Sequence, residues 1–306
     1  MDLLTAADVR LMQGLAQRIV ATRLDLVNSD ASVGELAWNW GRNHRLYNAT
    51  WPRRLWFAGD DLVAWGWAQL PRQVRLRDGS AREVTDAALT HQVHPDHAGL
   101  VDEVIDWFED VTPGLVRTMI LQDADEFALQ RWTARGYVVE SASDSWTQLN
   151  VRELHEIDKP LLPQGFRFRN ADEAGTAAVV QAHVDAWPVT TYNADAYADL
   201  RATPPYRGDL HVLVEAPDGT MACSAVMWLD EVNKTAEFEP VGTHPDFRRR
   251  GLGRALLLHG MHVARDAGAT QMTVACLGAA EHPNARGLYY SVGFRYFSHD
   301  IALHHP

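Results

Sequence analysis

A basic, glycine-containing segment is the strongest chemical signal in the 306-residue chain. Residues 241–256 read VGTHPDFRRRGLGRAL, a pattern that predicts a strand, a loop and the start of a helix. The N–H groups and the dipole at a helix N-terminus attract anions, and Gly251 and Gly253 lack side chains that would block a close approach. Positive charge is supplied by Arg248, Arg249, Arg250 and Arg254. The segment therefore predicts a site for a pyrophosphate group.

Two familiar nucleotide-binding motifs do not fit this segment. A Walker loop would continue with Gly-Lys-Ser/Thr, and a dinucleotide-binding domain would carry Gly-x-Gly-x-x-Gly, but neither pattern occurs here. Taken alone, the arginines would also fit a basic helix cap on a solvated surface. That alternative stays open for the loop considered by itself.

Two glutamates, Glu237 and Glu239, lie on the predicted strand that leads into the loop. A protonated amine is not nucleophilic, so a base must accept its proton, directly or through water. Alternate residues of a regular strand share a face, which would place both glutamates with Val241 and Thr243. A bulge would break that alternation. The alternative is that one glutamate is solvated and the other is a hydrogen-bonded structural residue.

Composition places the chain among soluble globular proteins, with 46% apolar and 22% charged residues. A net charge of −12 argues against nucleic acid as a partner. No apolar run approaches the roughly 20 residues of a membrane helix. The N-terminal residues lack the pattern of a secretory signal. Cys223 and Cys276 lie in apolar surroundings and are predicted to be buried, reduced thiols, so we expect a cytoplasmic protein.

Helical and strand patterns alternate along the chain and predict an α/β fold with a mixed sheet. The order of elements in the second half is repeated in the first. Two local matches support an internal repeat: His-Pro-Asp occurs at 94–96 and 244–246, and Arg-Gly-Tyr at 135–137 corresponds to Val-Gly-Phe at 292–294. The sequence therefore indicates one ancestral unit that was duplicated.

A polar, proline-containing stretch separates the two halves. We place the first domain at residues 1–152, a linker at 153–164 and the second domain at 165–306. The first domain is expected to close with a hairpin over residues 137–149.

Two signatures resemble those of GNAT-family N-acetyltransferases. Arg248-x-x-Gly251-x-Gly253 is similar to the family's pyrophosphate motif. The second is Asn284-x-x-x-Leu288-Tyr289-x-x-x-Gly293-Phe294. The resemblance covers residues 165–306 well and residues 1–150 only as a degenerate copy. It implies two tandem GNAT-like domains, each a mixed, mostly antiparallel sheet flanked by helices.

The resemblance also implies roles for individual residues. The loop would bind the pyrophosphate of acetyl-CoA, while Asn284 and the backbone of the preceding strand would bind pantetheine. Tyr289 would be the general acid for the leaving thiolate, and Glu237 or Glu239 the base. Tyr289 could alternatively be a core aromatic residue. The implied acetyl-CoA site consists of Val241, Thr243, Arg248, Arg249, Arg250, Gly251, Gly253, Arg254 and Asn284, with no metal.

The first half departs from this pattern at each matching position. Its loop, residues 94–103, has no arginine and places Asp102 and Glu103 where phosphate would lie. Trp132 stands opposite Tyr289, and Phe127 opposite Asn284. We therefore expect the first half to be a scaffold or an acceptor-binding half that does not hold CoA.

Histidines at 91, 94 and 97 are spaced by three. Side chains three apart on a strand point to opposite faces, so we interpret them as turn histidines rather than metal ligands.

The resulting hypothesis is an N-acetyltransferase that passes acetyl directly from acetyl-CoA to the amine of a small molecule, as a monomer or homodimer. One alternative is a mycothiol-synthase-like enzyme that acetylates a thiol sugar. Another is a non-catalytic CoA-binding or scaffold protein. The acceptor is expected near Trp187, Tyr192, Tyr206 and the face between the halves, although these aromatic residues could equally belong to the core.

Overall fold

The computed structural model describes residues 2–26, 29–140, 146–278 and 283–306. Within these ranges, twelve strands form one mixed sheet with helices packed on it, and two further strands form a separate hairpin. This confirms the α/β class predicted from the alternating patterns. No helix in the described ranges is long and apolar enough to cross a membrane.

The first half opens with two helices before its strands begin. Helix α1 starts at a capping box in which Thr5 and Asp8 satisfy each other's backbone N–H groups. The elements of this half are α1 (Ala6–Thr22), α2 (Val33–Tyr47), β1 (Arg53–Ala58), β2 (Asp61–Gln69), β3 (Arg72–Arg75), β4 (Ala81–Val84), β5 (Ala87–Val93), α3 (Val101–Val111), β6 (Arg117–Gln122), α4 (Glu126–Ala134), β7 (Val138–Val139) and β8 (Thr147–Glu153).

The second half resembles the first in its order of elements. Its elements are β9 (Arg167–Asn170), α5 (Ala171–Ala174), α6 (Thr176–Ala186), α7 (Ala194–Arg201), β10 (His211–Glu215), β11 (Met221–Asp230), β12 (Thr235–Thr243), α8 (Leu252–Asp266), β13 (Gln271–Leu277), α9 (Pro283–Ser291) and β14 (Arg295–His305). It differs from the first half in that β9 and α5 precede α6 and α7, and in that its described residues contain no counterpart of the β3–β4 hairpin. Every residue of β11 is buried, because strands flank it on both sides and helices cover both of its faces.

The two halves exchange their last strands. Across the sheet the order is β1, β2, β5, β6, β14, β8, β13, β12, β11, β10, β9, with β7 beside β14. Strand β8 of the first half therefore lies between β13 and β14. Strand β14 pairs first with β8, and from Asp300 onward it pairs with β6 of the first half. The halves thus share one continuous sheet.

This exchange corrects the hairpin expected over residues 137–149. Strands β7 and β8 each pair with β14 instead of with each other, and residues 141–145 between them lie outside the described residues. Alternation along a strand indicates which face is buried but does not identify the neighbouring strand. The limits of the two domains and the linker stay a prediction.

The same turn follows β5 in the first half and β12 in the second half. The amides of His94 and His244 donate across to the neighbouring strand at 2.8 and 2.9 Å. Each imidazole Nδ1 accepts the amide N–H of the aspartate two residues later, at 3.2 and 3.1 Å. The repeated His-Pro-Asp tripeptide therefore corresponds to a repeated structure.

Apolar residues fill both faces of the sheet. Trp65 and Trp67 pack in the core against α1, as their spacing on one strand face suggested. Cys223 and Cys276 are buried free thiols, as predicted.

Candidate active site

Strands β12 and β13 separate at the centre of the second half. They pair in parallel only from Thr235–Phe238 to Gln271–Val274. Beyond Phe238 the strands diverge, and among the described residues the end of β13 pairs only with β8. A gap therefore opens between the last residues of β12 and β13, and below it is called the strand gap.

The backbone of Val241 and Thr243 faces this strand gap. Opposed residues of antiparallel strands alternate between hydrogen-bonded and non-hydrogen-bonded pairs. The His244 amide donates to the Ala222 carbonyl of β11 at 2.9 Å, so His244 and Ala222 form a hydrogen-bonded pair. The pairs that Thr243 and Val241 form with β11 are therefore non-hydrogen-bonded pairs. Their polar backbone groups point away from β11, where they can pair with an extended ligand.

A bulge interrupts β12 between the glutamates and these residues. Ala225 opposes Val241 but Met227 opposes Phe238, so Glu239 and Pro240 together occupy one position of the ladder. The bulge reverses the alternation that a regular strand would have, so Glu237 does not share a face with Val241. Glu237 instead shares a face with Gly242 and points toward the first half.

Glu237 is held at the N-terminus of α2. Its Oε2 accepts the Ser32 hydroxyl at 2.6 Å, and the backbone N–H of Gly34 also donates to its carboxylate. A Cβ at Gly34 would lie 2.5 Å from this Oε2 and 2.5 Å from Trp228, so only glycine allows the approach. Burial raises the pKa of Glu237 to about 7, although both hydrogen bonds oppose the shift.

Glu239 lies in a different environment. Its carbonyl accepts the Trp228 indole N–H at 2.6 Å, but its carboxylate accepts no hydrogen bond from any described residue. Burial, reinforced by the charge of Glu237, raises the pKa of Glu239 to about 7. This is a suitable range for a group that accepts a proton near neutral pH.

Tyr289 lies on α9, close enough to Glu239 for their charges to interact. Its ring is buried and packs edge-on against Phe294 at 5.9 Å. Burial and the charges of Glu239 and Cys276 raise the pKa of Tyr289 above its ordinary value. The phenol therefore stays protonated at neutral pH and is able to donate. Asn284 is exposed in the first turn of α9.

The arginine loop ends at a helix N-terminus that no described side chain caps. Arg249 and Gly251 adopt left-handed conformations with φ of 63° and 77°, which turns the chain into α8. A Cβ at Gly253 would lie 3.3 Å from Leu288, so this glycine lets α8 approach α9 closely. The amide groups of the first turn are thus available to an anion.

Three of the four arginines contact other residues around this loop. Arg248 Nε donates to the Thr243 carbonyl at 3.3 Å, and Arg250 donates to the Asp246 carbonyl at 3.0 Å. Arg254 forms a 2.8 Å ion pair with Asp158. The basic surface therefore lies at the end of β12, next to the strand gap.

The matching helix of the first half has the opposite charge. The first turn of α3 contains Asp102 and Glu103, whereas the first turn of α8 has no acidic residue. Asp102 pairs with Arg131 at 2.5 Å, and Glu103 accepts the Trp56 indole N–H at 2.9 Å. The negative charges of these carboxylates would repel an anion at the N-terminus of α3.

The three spaced histidines of the first half lie on β5 and in the turn that follows it. His91 is buried edge-on to Trp132 at 5.5 Å, and burial lowers its pKa to about 4. Within the described ranges, no three His, Cys, Asp or Glu side chains are grouped so that they could hold a metal.

Sequence reasoning missed the contribution of α2 from the first half. Besides Ser32 and Gly34, this helix supplies Glu35, whose pKa is raised by burial and then by the charge of Glu239. Asn39 donates to Glu35 at 2.7 Å. No local pattern marks these residues, because α2 reaches β12 only through the tertiary arrangement of the halves.

The aromatic residues expected at the acceptor site contact other parts of the fold. Trp187 lies over Gly242, where a Cβ would be 2.4 Å from its ring. Tyr192 is buried against Trp38, with ring centroids 5.6 Å apart. Tyr206 hydrogen-bonds to Tyr197 at 3.0 Å within the same helical layer. The alternative interpretation as a core residue fits Tyr192, whereas Trp187 and Tyr206 are half-buried.

Comparison with known proteins identifies the fold that carries this arrangement. Residues 176–294 match the "Acetyltransferase (GNAT) family". This segment belongs to the GNAT acetyltransferase family. The GNAT match spans α6 to the start of the last strand, and therefore includes the strand gap, the arginine loop and Tyr289. The match supports acyl transfer as the activity of this segment.

Solved GNAT structures resemble the whole chain. A GCN5-related N-acetyltransferase from Sphaerobacter thermophilus has a TM-score of 0.62 and 16% identity, covering 99% of this chain and 94% of that one. A tandem GNAT protein from the clavulanic acid biosynthesis pathway has a TM-score of 0.62 and 14% identity, covering 99% and 97%. A GNAT acetyltransferase from Colwellia psychrerythraea has a TM-score of 0.58 and 9% identity, covering 100% and 99%. Identities this low establish a shared fold alone. No curated protein sequence matches the chain significantly.

Proposed function

We propose that this protein transfers the acetyl group of acetyl-CoA directly to the amine of a small molecule. The observation that carries the proposal is the strand gap, which leads from the uncapped N-terminus of α8 to Glu239 and Tyr289. An extended thioester with a pyrophosphate at its other end fits such a path. The family match supports acyl transfer, and the donor and acceptor are part of the proposal.

Acetyl-CoA would bind along β12. The backbone groups of Val241 and Thr243 would pair with pantetheine, and Asn284 would contact the same arm. The pyrophosphate would lie against the first turn of α8. Its ligands would be Arg248, Arg249, Arg250, Gly251, Gly253 and Arg254. One acetyl-CoA would bind per chain, because Asp102 and Glu103 oppose phosphate in the first half.

Glu239 would be the base that accepts the amine proton. Its carboxylate is not engaged by another described side chain, and its pKa of about 7 leaves a large ionised fraction near neutral pH. Glu237 is occupied by Ser32 and Gly34. We therefore assign Glu237 a positioning role, in which it fixes α2 over the acceptor side of the site.

Tyr289 would protonate the departing CoA thiolate. A free phenol titrates near ~10 and a thiol near ~8.5, so the two groups share the proton in the transition state. The amine attacks the thioester carbonyl and forms a bond to its carbon. The carbon–sulfur bond then breaks, while Glu239 receives the amine proton and Tyr289 supplies one to sulfur.

The experiment that tests this function is thiol release from acetyl-CoA in the presence of a panel of primary amines, with the acetylated product identified by mass. We expect thiol release that depends on the amine and gives one amide per thiol. Thiol release that is the same with and without every amine would contradict amine acetylation. CoA binding with no turnover of any amine would favour the non-catalytic alternative.

A further inference from the structure

We propose that the acceptor amine carries an anionic group, which binds in a pocket of three arginines between the two halves. This proposal rests on the proposed function and defines its substrate class. The arginine pocket is formed by Arg42, Arg72 and Arg82 and encloses about 190 Å³.

Elements of both halves build the arginine pocket. Helix α2 supplies Arg42, and the β3–β4 hairpin supplies Arg72 and Arg82. The opposite wall is the connection between α6 and α7 at residues 189–191. The Arg77 amide donates to the Thr190 carbonyl at 2.8 Å and ties the hairpin to this connection. The walls are therefore held together by the fold itself.

The described part of the chain supplies no ion-pair partner to the arginine pocket. The whole chain carries a net charge of −12, yet no described carboxylate lies within 4.0 Å of any of the three guanidinium groups. The Nε atoms of Arg42 and Arg72 are buried without a hydrogen-bond partner in the described structure. Buried cationic donors of this kind are costly unless a partner satisfies them.

Two of the guanidinium groups are also held in place. Arg42 lies over the Trp38 ring at 4.8 Å, and Arg72 lies over the Tyr47 ring at 5.2 Å. Arg72 additionally donates to Gln69 at 3.0 Å. Planar guanidinium groups fixed in this way match the geometry of a carboxylate or phosphate. An anion is therefore the ligand chemistry that the pocket favours.

A row of polar side chains on α2 connects the arginine pocket to the proposed base. Arg42 donates to Asn39 at 3.2 Å, and Asn39 donates to Glu35 at 2.7 Å. These residues share one helix face, because they are spaced by four and three. The charges of Glu35 and Glu239 interact, and Arg42 lowers the pKa of both.

The length of this row sets the size of the acceptor. Seven residues of helix separate Glu35 from Arg42, an axial rise of about 10 Å. A molecule with its amine at Glu239 and its anionic group in the arginine pocket would lie along this row. The protein would thus acetylate amines that carry a carboxylate or phosphate at the far end.

The test uses ω-amino carboxylates of increasing chain length, each compared with the alkylamine of the same length. With the intact protein and acetyl-CoA, we expect kcat/KM for the carboxylates to exceed that of the alkylamines by about 10- to 100-fold at an intermediate length, as for a charged hydrogen-bond partner. Equal or lower kcat/KM for the carboxylates at every length would overturn the inference.

Variants localise the effect to the pocket. Arg82 is exposed, so Arg82→Gln is expected to fold normally and to raise KM for the preferred carboxylate while leaving the alkylamine unaffected. Arg72→Gln should act in the same way, and Arg72→Lys should recover part of the loss. The matched control is Arg75→Gln on β3, the strand that also carries Arg72. Arg75 is exposed and is not among the residues that line the pocket. Equal KM values in Arg75→Gln and Arg82→Gln would overturn the assignment to this pocket.

The outcomes also separate this inference from the proposed function. If alkylamines are acetylated and carboxylates are not preferred, amine acetylation stands and the arginine pocket does not recognise the acceptor. If neither series releases thiol although acetyl-CoA binds, amine acetylation and this inference fail together. The corresponding ω-amino alkyl phosphates are tested in the same way. If kcat/KM is highest for one of these phosphates, the inference stands and the anionic group is a phosphate.

Discussion

At the scale of single residues, the two strand glutamates differ in what surrounds their carboxylates. Glu237 accepts hydrogen bonds at the N-terminus of α2, whereas the Glu239 carboxylate accepts none from the described residues. Burial raises the pKa of both to about 7. Similar pKa values therefore accompany different roles, and the hydrogen-bond partners distinguish a positioning residue from a base.

Replacement of the two glutamates by glutamine should separate these roles. Activity should rise with pH through about 7 as Glu239 ionises, and Glu239→Gln should remove this rise and lower kcat by about 10²- to 10⁴-fold. Glu237→Gln should keep the rise, because an amide can still accept from Ser32 and Gly34. The measurement is a pH profile of kcat for each variant. Unaltered profiles in both variants would place the base elsewhere.

The stability of Glu239→Gln provides a control for its fold. A carboxyl whose folded pKa is raised stabilises the native state below its unfolded pKa near 4.5 and loses that contribution as pH rises through about 7. Glu239→Gln should therefore unfold at a higher temperature than the unmodified protein at pH 8. A lower unfolding temperature there would mean that the glutamate stabilises the fold.

Substitution of Tyr289 tests the proposed general acid. Tyr289→Phe should lower kcat by about 10²- to 10⁴-fold and leave the Kd of acetyl-CoA nearly unchanged, because the hydroxyl acts on a thiolate that forms late in the reaction. Steady-state kinetics and calorimetry measure the two quantities. Tyr290→Phe is the control, since Tyr290 is more exposed and hydrogen-bonds to Gln148 at 3.1 Å. An unchanged kcat in Tyr289→Phe would assign the residue to packing.

At the scale of elements, local patterns predicted the strands and helices but not which of them lie next to each other. The basic loop, its glycines and the helix after it follow from residues 241–256, because their chemistry is local. The strand exchange depends on pairs more than 100 residues apart in sequence, and the approach of α2 to β12 depends on a contact 205 residues apart. The bulge at Glu239 was also not fixed by the alternation of residue types.

The approach of α2 to β12 gives a prediction at this scale. Gly34→Ala places a methyl group against Glu237 and Trp228, so it should destabilise the protein and lower activity by moving α2. Gly14→Ala is the matched control on α1, where the nearest atom to a new Cβ is the end of the Arg18 side chain at 3.9 Å. It should stabilise the protein by up to about 1 kcal/mol. Thermal unfolding measures both changes, and equal effects would contradict the close contact.

At the scale of the whole molecule, two halves that differ in charge and in their elements are joined in one sheet. The second half has an uncapped, basic helix N-terminus beside the strand gap, and the first half has acidic residues at the matching helix. The first half instead places α2 against the proposed base. We therefore regard the first half as part of the acceptor site rather than as a second acetyl-CoA site.

Calorimetric titration with acetyl-CoA tests this division most directly. The account predicts a stoichiometry near one per chain, binding lost in Gly251→Glu, and binding kept in Gly114→Glu. The control is matched, because both glycines have positive φ, 77° and 71°, and open space around a new Cβ. A stoichiometry near two, or binding that survives Gly251→Glu, would contradict the account.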